Sequence, residues 1–274
     1  MPRPSGFFRR TLKVASAAAD RWRPHVDGVV ILLYHRVGGG TSLEVDLDAA
    51  RFDEQMATVA ASCRPVTLGA GIDELAASES PHAPPPVVIT FDDGTADFVD
   101  VAVPILVRHQ VPATLYLATA FVEEGREFPG GGRPLSWSAL RDACSTGLVD
   151  IGSHTHTHAL LDRAAPGAAA EELERSVDLI GANLGVTARD FAYPKAVAGT
   201  PEVAELVRER FRSAALAGTR VNAYRKADPY RLARSPIQVS DGMEYFGRKL
   251  AGGMALEDSM RRALNRVRYA KAAS

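Results

Sequence analysis

Apolar residues run unbroken over 28–34 (GVVILLY), and 87–91 (VVITF) is apolar but for Thr90, each run bounded by turn-forming residues. Runs of this length suit strands buried on both faces, as in a barrel or a parallel sheet. Between them Phe52, Met56 and Val59 recur at helical spacing behind Asp48, which predicts a helix over 49–62 capped by that aspartate. The alternation then repeats. It predicts a helix over 97–109, a strand at 113–117, a Gly/Pro-rich loop over 125–134 and a helix at 136–144. A strand at 149–152, a helix over 168–184, a strand at 190–192, a helix over 201–211 and a strand near 213–216 follow. Strands alternating with helices at these lengths predict parallel βαβ units, and the architecture read from them is a (β/α) barrel.

The flanks differ from this middle. Residues 78–86 carry Pro81, Pro84, Pro85 and Pro86, which excludes helix or central strand and marks a connector after an opening βα portion. Residues 1–24 read as a basic arm, 25–254 as a single domain, and 255–274 as a basic helix. In that last segment Met260, Leu264 and Val267 sit at i, i+4 and i+7 beside Arg261, Arg262, Arg266, Arg268 and Lys271, a pattern that packs one face and solvates the other.

Composition narrows the partners. The chain has 274 residues, 46% hydrophobic and 24% charged, with a net charge of -1. Such a chain can bury a core, so bulk disorder is excluded. It has no global basic field, so nucleic acid is not expected as a partner. Cys63 and Cys144 form no CxxC pair and read as two thiols of a reducing compartment. No run approaches the ~18 apolar residues of a membrane span. Lys13 and Asp20 break up the apolar stretch that a secretory signal would need after Arg9-Arg10, so a cytoplasmic location is expected. The basic arm is read as frayed. Its sharper alternative is weak peripheral contact with the inner membrane face.

Two features carry chemistry, and both follow the carboxyl end of a predicted strand, the rim where barrel enzymes gather functional groups. The first is Thr90-Phe91-Asp92-Asp93-Gly94. Adjacent carboxylates repel, and a bound cation would relieve them. Read alone, the pair is more simply a helix cap. The second is Gly152-Ser153-His154-Thr155-His156-Thr157-His158, which holds three of the seven histidines in five residues. Imidazoles at i and i+4 after a strand can reach one ion.

In this order, and followed by Phe191-Ala192-Tyr193-Pro194, the motifs resemble the polysaccharide deacetylases, the NodB-homology or carbohydrate esterase family 4 enzymes. The resemblance spans about 87–217. Leu33-Tyr34-His35-Arg36-Val37 adds the YHRV opening of the biofilm-polysaccharide branch, and Tyr230-Arg231-Leu232-Ala233-Arg234 is a further likeness. It implies a deformed (β/α) barrel of about seven strands. It also implies a divalent metal, usually Zn2+, held by Asp93, His154 and His158, with Asp92 as general base and the Tyr193 backbone N–H as oxyanion donor. The implied substrate is a carbohydrate, an N-acetylhexosamine-containing polysaccharide or glycan precursor losing N-acetyl or O-acetyl groups.

Two departures qualify this. Ala192 stands where many members carry an arginine that braces the base, leaving Arg234 or Lys195 as candidates, each more simply a surface charge. No histidine follows His158 to act as a late general acid, which turns attention to His35 at the end of the opening strand, although a structural histidine is the simpler reading there. His156 is expected to point away from the metal. The competing function is a carbohydrate-binding relative that has lost turnover.

Overall fold

The computed structural model of the protein describes residues 6–22, 25–77 and 84–260. Its centre is a closed ring of seven parallel strands: β1 (Gly28–Tyr34), β2 (Pro86–Asp93), β3 (Ala113–Leu117), β4 (Val149–Ser153), β5 (Asp190–Ala192), β6 (Ser213–Ala217) and β7 (Leu232–Pro236). Every strand pairs with its neighbour in the chain, and β7 returns to β1 with Leu32 opposite Ser235. The expected (β/α) barrel is therefore present, wound once in chain order. Around it lie α1 (Gly6–Asp20), α2 (Ala49–Ser62), α3 (Leu68–Ala77), α4 (Val103–His109) and α5 (Thr119–Glu124). The outer layer is completed by α6 (Trp137–Ser145), α7 (Pro166–Leu184), α8 (Pro201–Arg210) and α9 (Gly242–Leu250).

Period-two alternation divides the uniformly apolar strands between two cores. Val30, Leu32 and Tyr34 of β1 join Val87, Ile89 and Phe91 of β2 in the layer beneath the helices. There Phe91 packs against Tyr34, Phe52 and Phe98, with ring centroids 4.8–5.8 Å away. Val29, Ile31, Val88, Tyr116, Ala192, Ala215 and Leu232 form a second cluster inside the ring, which continues into Leu68 and Leu75 of α3. α3 thus plugs the amino-terminal end of the barrel. The opposite end, where β2 and β4 finish, is left for chemistry.

Several expectations shift. The helix expected over 97–109 begins as a π-helical turn, Phe98–Ala102, before α4. α3, α5, α9 and β7 have no counterpart in the sequence reading. Asp48 caps α2 by accepting from the Ala50 and Arg51 amides, as its position predicts. Cys63 and Cys144 are free thiols. The arm expected to fray is the helix α1 over most of its length, with Lys13, Ser16 and Ala17 buried. Lys13 is paired with Asp241 and with Glu257 (2.7 Å), and Lys249 shares Asp241 at 2.8 Å. Partners 228 and 244 residues away are invisible to local patterning, which is why the arm looked loose. Residues 255–260 are helical. The remainder of the expected C-terminal helix and most of the proline connector lie outside the described residues.

The interior tolerates little extra volume. A Cβ on Gly152 would sit 2.7 Å from both the Asp190 carbonyl oxygen and the Tyr116 ring. Gly152→Ala is expected to cost about 1–3 kcal/mol by overpacking, read as a lower urea midpoint. An unchanged midpoint would show that the inner face of β4 is not packed in this way.

Candidate active site

The strand register assembles the site. Asp92 stands opposite Tyr116 and Asp93 opposite Leu117, while Leu117 in turn stands opposite Ser153, the residue before His154. Inward alternation along β2 carries Val88, Thr90 and Asp92 into the ring. Asp92 is consequently buried and needs a counter-charge.

That counter-charge is Arg234 of β7, fully buried, which grips both carboxylate oxygens at 2.5 and 2.9 Å. The guanidinium also donates to Thr90 Oγ1 (3.3 Å) and to the Leu216 carbonyl (3.2 Å), and it lies 5.0 Å from the centre of the Tyr116 ring. Burial pushes the Asp92 carboxyl up, but Arg234 and His154 outweigh it and hold the group at about 2. The bracing group is thus Arg234, and its reading as a surface charge is corrected. The side chain of Lys195 is exposed instead. Sequence reasoning named Arg234 as a candidate but could not set it above a surface charge, because β7, on which it rides, was not recognised as a strand.

Asp93 leaves β2 with φ 78°, a left-handed conformation that non-glycine residues seldom adopt. Both carboxylates stand at the same rim, with His154 Nε2 3.8 Å from Asp92 Oδ2 and 3.7 Å from Asp93 Oδ1. Neither aspartate serves as a helix cap. Asp93 Oδ1 lies 3.4 Å from His158 Nε2 and 3.7 Å from His154 Nε2. All three donor atoms fall within 4.8 Å of one another. A tetrahedral cation bound at ~2.1 Å needs donor atoms about 3.4 Å apart, which the two Asp93–histidine separations approach. His154 Nδ1 faces the Ala192 carbonyl oxygen at 2.7 Å, which fixes its proton there and turns the Nε2 lone pair towards Asp93. Burial lowers the basicity of both imidazoles, that of His158 to about 4, so both are neutral and able to ligate at ordinary pH. His158 too has positive φ, at 64°.

The other candidates divide. His35 continues the inward row of Ile31 and Leu33, and it is the strongest influence opposing the upward push of burial on the Asp93 carboxyl. It therefore faces the acidic pair. His156 Nδ1 is 2.9 Å from Thr119 Oγ1 and turns away from the other two histidines. Tyr193 is extended (φ −70°), as a residue before proline should be, but its N–H already donates to the Ala215 carbonyl at 3.1 Å. The implied oxyanion role does not suit that amide. Pro194 has no N–H, which makes the Lys195 amide, at φ 54°, the next one available along the chain.

A parallel barrel that places three possible cation donors beside a clamped carboxylate has the parts that metal-assisted hydrolysis needs. Residues 79–209 match the family model described as polysaccharide deacetylase. Among solved structures, the fold is similar to the Streptococcus pyogenes deacetylase PplD, described in complex with acetate, with TM-score 0.71 and 21% identity over 82% of this chain and 98% of that one. IcaB from Ammonifex degensii matches with TM-score 0.69 and 24% identity over 82% of this chain and 98% of its own. The BpsB deacetylase domain from Bordetella bronchiseptica gives 0.63 and 21%, covering 78% and 98%. No curated protein matches the chain.

Arg234→Met would leave Asp92 buried without its counter-charge, and a loss of about 3–5 kcal/mol is expected, measured by thermal or urea unfolding. A variant as stable as the parent would mean that the pair contributes nothing to the fold. His158, lowered to about 4, binds a proton only below that value. Metal affinity is therefore expected to hold as pH falls from 7 to 5 and to collapse near 4, as followed by calorimetry with Zn2+. Loss already centred near the ordinary imidazole pKa would contradict the burial argument.

Proposed function

We propose that the protein is a metal-dependent hydrolase that removes N-acetyl, or O-acetyl, groups from a carbohydrate, an N-acetylhexosamine-containing polysaccharide or glycan precursor. The observation that carries this reading is the split fate of two adjacent carboxylates. One lies among imidazoles as a cation ligand, and the other is kept ionised by Arg234 and outside the ligand set. A binding module has no use for the second.

Asp93, His154 and His158 would hold the cation, and Zn2+ suits a set of two imidazoles and one carboxylate. When bound, it supplies Lewis-acid polarisation of the acyl carbonyl and lowers the pKa of water. Asp92 accepts the proton of the attacking water. A carboxyl near 2 is a weak base, so the Arg234 clamp exchanges basicity for a fixed orientation and a permanently available acceptor. The Lys195 backbone N–H is our candidate donor to the developing oxyanion. With no histidine beyond His158, protonation of the leaving amine falls to His35, on the same rim.

Acetate release from N-acetylglucosamine oligomers is the direct test. Asp92→Asn is expected to lower kcat by about 10²–10⁴-fold while leaving zinc stoichiometry intact, and His35→Gln to lower it by about 10²-fold. Chelation should abolish turnover, and added Zn2+ should restore it. Saccharide binding without acetate release from the metal-loaded protein would favour the binding-only alternative.

A further inference from the structure

The side chains of Arg36 and Arg234 are both buried, but only the second is hydrogen-bonded. Arg234 donates to Asp92, Thr90 and the Leu216 carbonyl. Arg36 is 7% exposed, and among the described residues its guanidinium donates to no side chain or carbonyl. Its Nε is sealed from solvent without a hydrogen-bond partner. The carboxylate within ion-pair distance is that of Asp97, whose Oδ1 lies 3.5 Å from Nε. The other oxygen of Asp97 is taken by the Val37 amide at 2.8 Å. Asp46 stands opposite Arg36 in the short pairing of 36–37 with 46–47, but it accepts from the Gly39 and Thr41 amides and from the Thr41 hydroxyl. The charge of Arg36 is balanced by Asp97, while its hydrogen-bonding capacity is unused. A buried charged donor in that state is costly.

A second polar group in the same place is also without a partner. Thr95 is buried, and its Oγ1 makes no hydrogen bond. Both side chains stand against Gly132, on which a Cβ would lie 2.7 Å from Thr95 Cγ2 and 3.6 Å from Arg36 Cζ. Gly39 flanks the guanidinium too, since a Cβ there would lie 2.4 Å from Nη2. Glycine at both positions leaves the fork against bare backbone. The surroundings are fixed: Asp46 holds the Gly39 amide at 2.9 Å, and the Ala96 amide donates to the Arg133 carbonyl at 2.8 Å. Arg36 directly follows His35, and Thr95 comes two residues after Asp93, so both stand at the carboxyl end of the barrel. A planar fork of N–H donors matches the two oxygens of a carboxylate or phosphate, and a neighbouring hydroxyl adds one more donor.

The geometry points to a binding site, formed by Arg36 and Thr95, for an anionic oxygen group, a carboxylate or phosphate carried by a saccharide or free in solution. It uses none of the cation-site residues and does not depend on the proposed hydrolysis, so the test reads binding alone. The full-length protein is titrated by calorimetry with inorganic phosphate, N-acetylglucosamine 1-phosphate, glucuronate and neutral N-acetylglucosamine, once loaded with Zn2+ and once after chelation. Binding of one or more of the anions that persists after chelation is expected. Arg36→Gln should weaken it about tenfold. Gly39→Ala keeps the charge but displaces Nη2, and it should weaken binding by a similar factor with zinc stoichiometry unchanged; it decides the matter where Arg36→Gln does not fold. N-acetylglucosamine 1-phosphate binding about tenfold tighter than inorganic phosphate would identify a saccharide-borne group, and equal affinities a free anion. The proposal is overturned by no anion binding to the chelated protein, or by binding that a folded Arg36→Gln or Gly39→Ala variant retains in full. Displacement of the anion by neutral N-acetylglucosamine would also overturn it, because the site would then not select charge.

Discussion

Two neighbouring carboxylates cannot both be taken out of water unless each finds its own compensation, and the structure around the rim follows from meeting that demand twice. Asp92 points into the barrel and is met by the bidentate guanidinium of Arg234. Asp93 leaves the strand in a left-handed conformation and is met by the imidazole edges of His154 and His158. What distinguishes them is the guanidinium, which occupies both oxygens of Asp92 and none of Asp93.

Closure of the ring makes both partners available. Arg234 comes from the last strand and Asp92 from the second, with β1 between them, and only a closed sheet brings the end of the chain back to this neighbourhood. Tyr116 lines the ring beside the guanidinium, and Gly152 yields the space that the Tyr116 ring fills. The packing that stabilises the interior therefore also fixes the orientation of the carboxylate. Stability and chemistry share the same side chains, which is consistent with α3 plugging one end of the barrel and leaving the other for substrate.

The periphery follows a different logic. Lys13, Lys249, Asp241 and Glu257 tie α1, α9 and the segment from 255 into one body through buried charges. Burial opposes ionisation of Asp241, yet the two ammonium groups hold its carboxyl below the usual range. Such a network sets an orientation more than it adds stability. What it orients is α1, with Lys13 turned inward and Val14 left exposed.

Local sequence determined the barrel class, most of the element positions, the capping of α2 by Asp48, and the candidate set Asp93, His154 and His158, which the fold brings within 4.8 Å. Those features depend on neighbours within a few residues: uninterrupted apolar runs, helical spacing, and acidic or imidazole groups just past a strand. Tertiary structure alone decided that Arg234 clamps Asp92, that the Tyr193 amide is spent on β6 and leaves the Lys195 amide next in line, and that the N-terminal segment is a docked helix. Each of these rests on a contact between residues far apart in the chain. The partner of a buried charge is set by strand closure and register, which no window along the sequence contains.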